Sequence, residues 1–576
     1  MPFSMSREEY ARRYGPTTGD RVRLADTDLW VEVEEDHVGY GDEPLWGYGK
    51  NIRSRMTQSD HATADSELDI LIAGVLLIDP FLGVLKTNIG IKDGRIVGIG
   101  HAGNPDITAG IDMTIGPNTM PIMGYGLIAT AGAVDSHVHL ITPNLVPVAL
   151  SAGVTTLITA GFEEPPMAMG TTMRAFEQLP INLGLQASAR TDVPGAVERV
   201  IQAGAIGLKI HEDWGSYPEV IDATLRLADE HDVAVCLHTD SLNESAELSD
   251  TVDAIAGRAI HAYHVEGTGG GHIPNVLGLV AEPNIVCSST TPTVPYGAAT
   301  AQEHVEMIMA VHAGNPDVEG DIQAAAERVR PTTMAAEGPL HELGAISVIN
   351  SDSQGMGRIG ETVRRTFQLA DLMKKWRASE AADGMPDAPP ISHLWARPRP
   401  TGRADNERVL RYLAKVTADP AIVHGVAHEV GSLLPGRLAD IVLWSPAAFG
   451  VKPALVFKSG HFAWGPLGEG NASISDCQPV IAGPHWGALG AAGTSIGTTF
   501  VSQAGLDAGL REQLGSHRRF AAARDIRGVR RDSLLANTAV APIDIESADG
   551  TVTLDGRLLA CTPTQVVPMN RRYFLM

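Results

Sequence analysis

His137 and His139 stand two residues apart at the end of the apolar run GAVDSHVHL. A strand repeats every two residues, so both imidazoles face the same way. Two imidazoles on one side of a strand end can begin a transition-metal site. Alone, the pair fits a structural or surface role equally well. Lys209 lies inside another apolar run, AIGLKIHED. A bare ammonium in a core is costly, so it must be paired, shifted or chemically altered. His211 and Asp213 follow at the same spacing, which puts all three on one face. Two readings stay open for Lys209. It forms an ion pair with Asp213, or it is carbamylated and its new carboxylate oxygens bridge two metal ions. His238 ends VAVCLH, His264 lies in RAIHAYHVEG, and Asp352 ends GAISVINSD.

The elements that must position these residues follow from their spacing. Short apolar runs each precede a helix-like stretch, the pattern of βα units on a parallel sheet. Asp352 lies about 214 residues beyond the H-x-H pair, which is seven steps of about 31, close to the unit of an eight-unit barrel. The intervals predict ligands at strand ends 1, 4, 5, 6 and 8, all on the C-terminal face of a (β/α)8 barrel spanning 133–426. Two β-rich segments bracket it. Leu68 to Gly100 carries a hairpin turn at Asp93-Gly94, and Gly436 to Pro446 repeats the pattern. They predict a small β-sandwich domain made of 1–132 and 427–480. The remaining 481–576 is expected to pack on the barrel. Ser379 to Asp405, rich in proline and polar residues, reads as a surface loop.

Composition narrows the class. The chain has 576 residues, 44% hydrophobic and 19% charged, which is a globular balance. A net charge of −24 disfavours nucleic acid and anionic membranes, since phosphate neutralisation needs clustered cations. Cys236, Cys287, Cys477 and Cys561 are too few and too far apart for a disulfide framework or an all-cysteine zinc site. Together with a charged N-terminus lacking an apolar stretch, they suggest a cytoplasmic protein without a signal peptide. Leu140 to Phe162 has no charged residue, but its prolines and hydroxyls mark buried barrel backbone rather than a membrane helix.

The ligand set resembles that of the amidohydrolase superfamily. The surrounding text resembles the urease α-subunit family over nearly the whole chain. The likeness is carried by GPTTGDRVRLADTDLWVEVE (Gly15 to Glu34), GLKIHEDWG (Gly207 to Gly215), HTDSLNES (His238 to Ser245), EGTGGGHIPN (Glu266 to Asn275), NSDSQGMGRIGE (Asn350 to Glu361), HEVGSLLPGRLADIVLW (His428 to Trp444) and the terminal RRYFLM. The resemblance implies two Ni2+ per chain bridged by carbamylated Lys209. His238 and His264 would hold one ion, and His137, His139 and Asp352 the other. His211 would hydrogen-bond the urea oxygen, and His312, in MAVHAGNPD, would be the flap general acid, oriented by Asp213 and Arg328. Backbone near Gly355 would accept urea NH groups, and Gly269 would line the pocket. The reaction implied is hydrolysis of urea to ammonia and carbamate by a metal-bound hydroxide. The family also implies β and γ partner subunits, a trimer of heterotrimers, and accessory proteins for nickel insertion and lysine carbamylation.

The chain departs from the family around the pocket. The flap cysteine before the general acid is replaced by Val311. The stretch LITAGFEEPPMAMGTTM (Leu157 to Met173) is shorter than the family's and places Glu163 and Glu164 near the mouth. Gly355 aligns with an alanine. These changes admit alternatives: a different urea- or guanidine-type substrate, a non-catalytic paralogue, or a zinc amidohydrolase acting on cyclic amides. His61, His304, His424, His428 and His461 are read as surface or core residues.

Overall fold

The computed structural model describes residues 4–46, 51–160, 165–211, 215–238, 247–267, 274–391, 404–467 and 481–573. Eight apolar runs form parallel strands, five of them within GAVDSHVHL, AIGLKIHED, VAVCLH, RAIHAYHVEG and GAISVINSD. Ala133–Val138, Val154–Thr159 and Asn182–Gly184 pair in chain order in a five-stranded sheet. Gln186–Ser188, Gly207–Ile210, Ala234–His238, Ile260–Tyr263, Ile285–Thr290 and Val348–Asn350 pair in chain order in a six-stranded sheet. Leu185 alone separates the two sheets, so one run of chain belongs to both. At the far end Val138 and Ser353 form a parallel bridge. The His139 amide donates to the Ser353 carbonyl at 2.8 Å. The eighth run thus returns to the first, although the strands do not form one uninterrupted closed sheet.

These strands are buried at nearly every residue, which is why they read as continuous apolar text rather than an alternation. Several crossover helices announce themselves by proline. Pro166–Ala175, Pro194–Gln202, Pro218–His231 and Pro331–Glu342 all begin on a residue whose fixed φ suits a first helical turn and whose missing N–H costs nothing there.

The β-rich ends meet in one ten-stranded sheet, where two facing sheets were expected. Ile128–Ala131 joins them, pairing antiparallel with Ile441–Trp444 and parallel with Ile70–Asp79. Asp93 and Gly94 turn the hairpin between Gly83–Lys92 and Arg95–Gly100 with φ of 50° and 74°. Gly74, at φ +62°, lies where Ile70–Asp79 loses register, and a Cβ there would meet the Tyr125 ring at 1.9 Å. The sheet runs on to Ile481–Pro484, past the expected boundary at 480. The segment beyond also does more than pack. Thr498–Val501 pairs parallel with Asn182–Gly184, and Arg519–Ala522 pairs parallel with Thr498–Val501. Among the described residues, no helix is long and apolar enough to cross a membrane.

Candidate metal centre

The ligand-type residues fall where their spacing placed them. His137 lies on the first parallel strand and His139 just beyond it; Lys209 is on the fourth, His238 closes the fifth, His264 follows the sixth, and Asp352 follows the eighth. His137 Nε2 and His139 Nε2 stand 3.4 and 3.1 Å from Asp352 Oδ1. Donor atoms of these three residues all lie within 4.8 Å of one another. The rings then run on: His137 to His264 at 5.7 Å between centroids, His264 to His238 at 4.2 Å, and His238 to His211 stacked at 4.0 Å. Lys209 Nζ lies 3.9 Å from the Tyr263 ring centroid, and that ring is 4.1 Å from His137.

The electrostatics suit cation binding. Burial, then the Lys209 charge, hold His137 well below the ordinary imidazole range. Burial does the same to His238 and His264, joined by Lys209 and by neighbouring imidazoles. His211 is also well below, through burial and then His238. All four rings are therefore neutral, the form that ligates. Burial raises the Asp352 carboxyl, but the His139 hydrogen bond and the nearby Lys209 charge outweigh it, so the group stays ionised. His137 Nδ1 is buried without a hydrogen-bond partner among the described residues. A close set of neutral imidazoles around a carboxylate, one with an orphaned nitrogen, fits a bound metal.

The backbone is strained at the same place. His264, Asp352 and Gln354 adopt φ of 34°, 54° and 64°, the left-handed region that non-glycine residues avoid. Surrounding contacts hold it there. Asp135 Oδ1 accepts from the Ser351 and His137 amides at 3.0 and 3.3 Å, and its Oδ2 accepts from Thr362 Oγ1 at 3.0 Å. Gln354 Oε1 accepts from the Ile141 and Thr142 amides at 2.8 and 3.2 Å. Gly355 sits against the cluster. A Cβ there would lie 2.5 Å from Asp352 Oδ1 and 2.7 Å from His139 Cδ2.

His312 caps the Thr300–Val311 helix, and Arg328 Nη1 donates to its Nε2 at 3.3 Å. Asp213, Gly269, Glu163 and Glu164 lie outside the described residues. Sequence reasoning missed Asp135, Tyr263 and Gln354. Asp135 carried a signal, since it precedes His137 by two and shares its strand face. Of the histidines read as structural, His304 and His424 are core residues and His61 is exposed beside Asp106.

The sequence model of the amidohydrolase family matches residues 128–463, more than half of the chain. The chain belongs to the amidohydrolase family. A second model, described as the urease alpha-subunit N-terminal domain, matches residues 3–122, so this amidohydrolase is preceded by urease-like text. Solved structures similar to it include dihydropyrimidinase from Brevibacillus agri NCHU1002, at 13% identity over 68% of this chain and 94% of that one, with a TM-score of 0.49. D-hydantoinase from a Bacillus sp. AR9 matches at 15% identity over 75% and 98%, with a TM-score of 0.49. A putative prolidase from Bifidobacterium longum matches at 18% over 69% and 95%, with a TM-score of 0.46. The amidohydrolase is thus an α/β metal-dependent hydrolase by family, with a candidate metal centre at its strand ends.

Proposed function

We propose that the chain is the catalytic subunit of a nickel-dependent urease, converting urea and water to ammonia and carbamate. The observation that carries this reading is the joining of urease-like text over 3–122 to a cluster of His137, His139 and Asp352 flanked by Lys209, His238, His264 and His211. In this reading the eight parallel runs make up a barrel, and the Val138–Ser353 bridge that returns the eighth run to the first supports it. The barrel spans 133–426, with β-rich material before and after it. Partner β and γ subunits complete the assembly, by likeness of the first 122 residues to the urease domain.

His137, His139 and Asp352 would hold one Ni2+, and His238 and His264 the other, with carbamylated Lys209 between them. Two such ions polarise a carbonyl and lower the pKa of water, which a resonance-stabilised amide requires. The protein's own groups supply the rest. His211, stacked on His238, donates to the urea oxygen as negative charge develops there. Backbone carbonyls around Gly355 accept from the urea NH groups and fix its orientation, and Gly269 contributes to substrate binding. His312 protonates the departing nitrogen. Arg328 and Asp213 hold the ring in place.

The test is ammonia release from urea after activation with nickel and bicarbonate, alongside metal analysis. We expect two nickel ions per chain, turnover, and resistance to thiol reagents, because Val311 occupies the flap position before His312. Bound nickel without ammonia would overturn the urea assignment and leave a dinuclear amidohydrolase acting on a larger urea- or guanidine-type compound.

A further inference from the structure

A second group of donor side chains meets in the core, sharing no residue with the centre above. Cys236 and His261 are register partners on adjacent parallel strands. His424 caps the Ala418–Val423 helix. One donor atom from each residue lies within 4.8 Å of the other two. All three are at most 2% exposed. They come from three separate elements and face inward together.

The spacing of the two imidazoles suits a shared ion. His261 Nδ1 and His424 Nε2 are 3.3 Å apart. Two imidazole nitrogens on one ion, each at about 2.0–2.1 Å, stand roughly 3.3–3.6 Å apart on a tetrahedral or trigonal centre. A direct hydrogen bond between the rings has the same length but does not complete the pair. Each neutral ring carries one proton, and only one can lie between them. The other must sit on His261 Nε2 or His424 Nδ1, and both are buried with no partner among the described residues. Burial pushes His424 down to about 3, so its ring stays neutral and keeps a lone pair to offer. Burial pushes the Cys236 thiol up to about 11, with Tyr263 and Gln186 beside it pulling the other way, so a cation must displace the thiol proton to bind.

We propose that Cys236, His261 and His424 form a structural metal site, distinct from the catalytic centre, for one thiophilic cation of the zinc or copper(I) class. One thiolate and two imidazoles select soft or borderline ions over magnesium or calcium. The cation replaces the thiol proton when it binds. It ties the Ala418–Val423 helix end to two strands, two residues before His238 and three before His264. The site stands whatever substrate the catalytic centre takes.

Cobalt(II) is the probe, because a thiolate gives an intense sulfur-to-cobalt charge-transfer band that a centre of imidazoles and carboxylates lacks. The full chain is expressed in cobalt-supplemented medium, purified, and examined by absorption and elemental analysis. We expect the band in the parent protein and one metal per chain fewer in Cys236→Ala and in His424→Asn, with the band lost in both. Far-ultraviolet circular dichroism checks that the variants fold. Should Cys236→Ala fail to fold, His424→Asn, which keeps the thiol, carries the comparison. Expression with zinc and with copper then separates the two cations. A parent protein without the band, or a folded variant that keeps both band and metal count, overturns the site.

Discussion

The Tyr263 ring lies between Lys209 and His137, 3.9 Å from the ammonium nitrogen and 4.1 Å from the imidazole centroid. Its hydroxyl donates to the Ser136 carbonyl at 2.8 Å and accepts from Gln186 Nε2 at 2.9 Å. The ring therefore spaces the lysine from the histidine, while the hydroxyl fixes the ring. The two roles separate by mutation. Tyr263→Phe keeps the spacer and loses the bond to the Ser136 carbonyl, at a cost of roughly 1 kcal/mol in stability. Its metal content should match the parent's. Tyr263→Leu removes the flat spacer and should lose metal as well as stability. Guanidinium melts and metal analysis of both proteins check this, and equal metal in Tyr263→Leu would remove the spacing role.

Gly355 offers a second probe of the same centre. A methyl group added there meets Asp352 Oδ1 at 2.5 Å and His139 Cδ2 at 2.7 Å, both shorter than real contacts allow. Gly355→Ala must push the carboxylate or the ring aside. Asp352 is already held at a strained φ of 54° with little freedom to yield. We expect at least about a tenfold drop in ammonia release with the fold intact, in the range seen when groups supporting a metal ligand are disturbed. Asp352→Asn, which removes the charge itself, should cost about 100-fold or more. Unchanged turnover in Gly355→Ala would mean that the two side chains relax freely.

Much of this centre was legible from text. Parallel strands buried on both faces are written as unbroken apolar runs, and the strand period of two aligns His137 with His139. Ligand-type residues at the ends of such runs, at intervals matching whole βα units, therefore reveal strand ends 1, 4, 5, 6 and 8. The residues that hold the ligands were less visible. Gln354 acts through amides of Ile141 and Thr142, more than 200 positions away, and no local pattern encodes that. The strand Thr498–Val501 joins Asn182–Gly184 by pairing across a comparable distance, so its four residues looked like any short apolar stretch. Cys236, His261 and His424 escaped for the same reason. Two belong to strands whose ends drew the eye, and the third caps a distant helix.

Acid should weaken the fold through His304. Its Nδ1 hydrogen-bonds the Thr300 carbonyl at 2.9 Å inside the Thr300–Val311 helix. Burial, partly offset by that bond, pushes the ring down to about 4. In the unfolded chain the ring takes up its proton near 6.5. Between those values the unfolded state binds more protons, so stability falls as pH drops from about 6.5 to about 4 and is insensitive to this group above 6.5. The full effect is roughly 3 kcal/mol. His304→Gln keeps a donor for Thr300 but does not titrate. Its guanidinium midpoint should decline less than the parent's between pH 7 and pH 4.5, and parallel declines would assign the acid sensitivity elsewhere.

Arg518 anchors the late strands to the early ones. It is fully buried and donates through Nη1 to the Phe176 and Leu179 carbonyls at 2.6 and 2.8 Å. Nη2 donates to Ile181 at 2.6 Å, and Nε to Thr499 Oγ1 at 3.1 Å. Burial lowers the guanidinium to about 10, which still leaves it charged at neutral pH. The planar fork reaches three carbonyls around one turn of chain, which a lysine cannot do. Arg518→Met fills similar volume but removes all of these bonds, although the Phe176 and Leu179 carbonyls keep the Leu179 and Ile181 amides as donors. At about 1 kcal/mol for each bond lost, the cost is roughly 3 kcal/mol. The damage should be local before it is global, because Thr498–Val501 and Arg519–Ala522 are held to the sheet beside this residue. Amide hydrogen exchange should therefore quicken in those two strands and in 176–184, while the strands Ala234–His238 and Ile260–Tyr263 keep their protection. Uniform acceleration throughout would show that the arginine supports the whole fold instead of this junction.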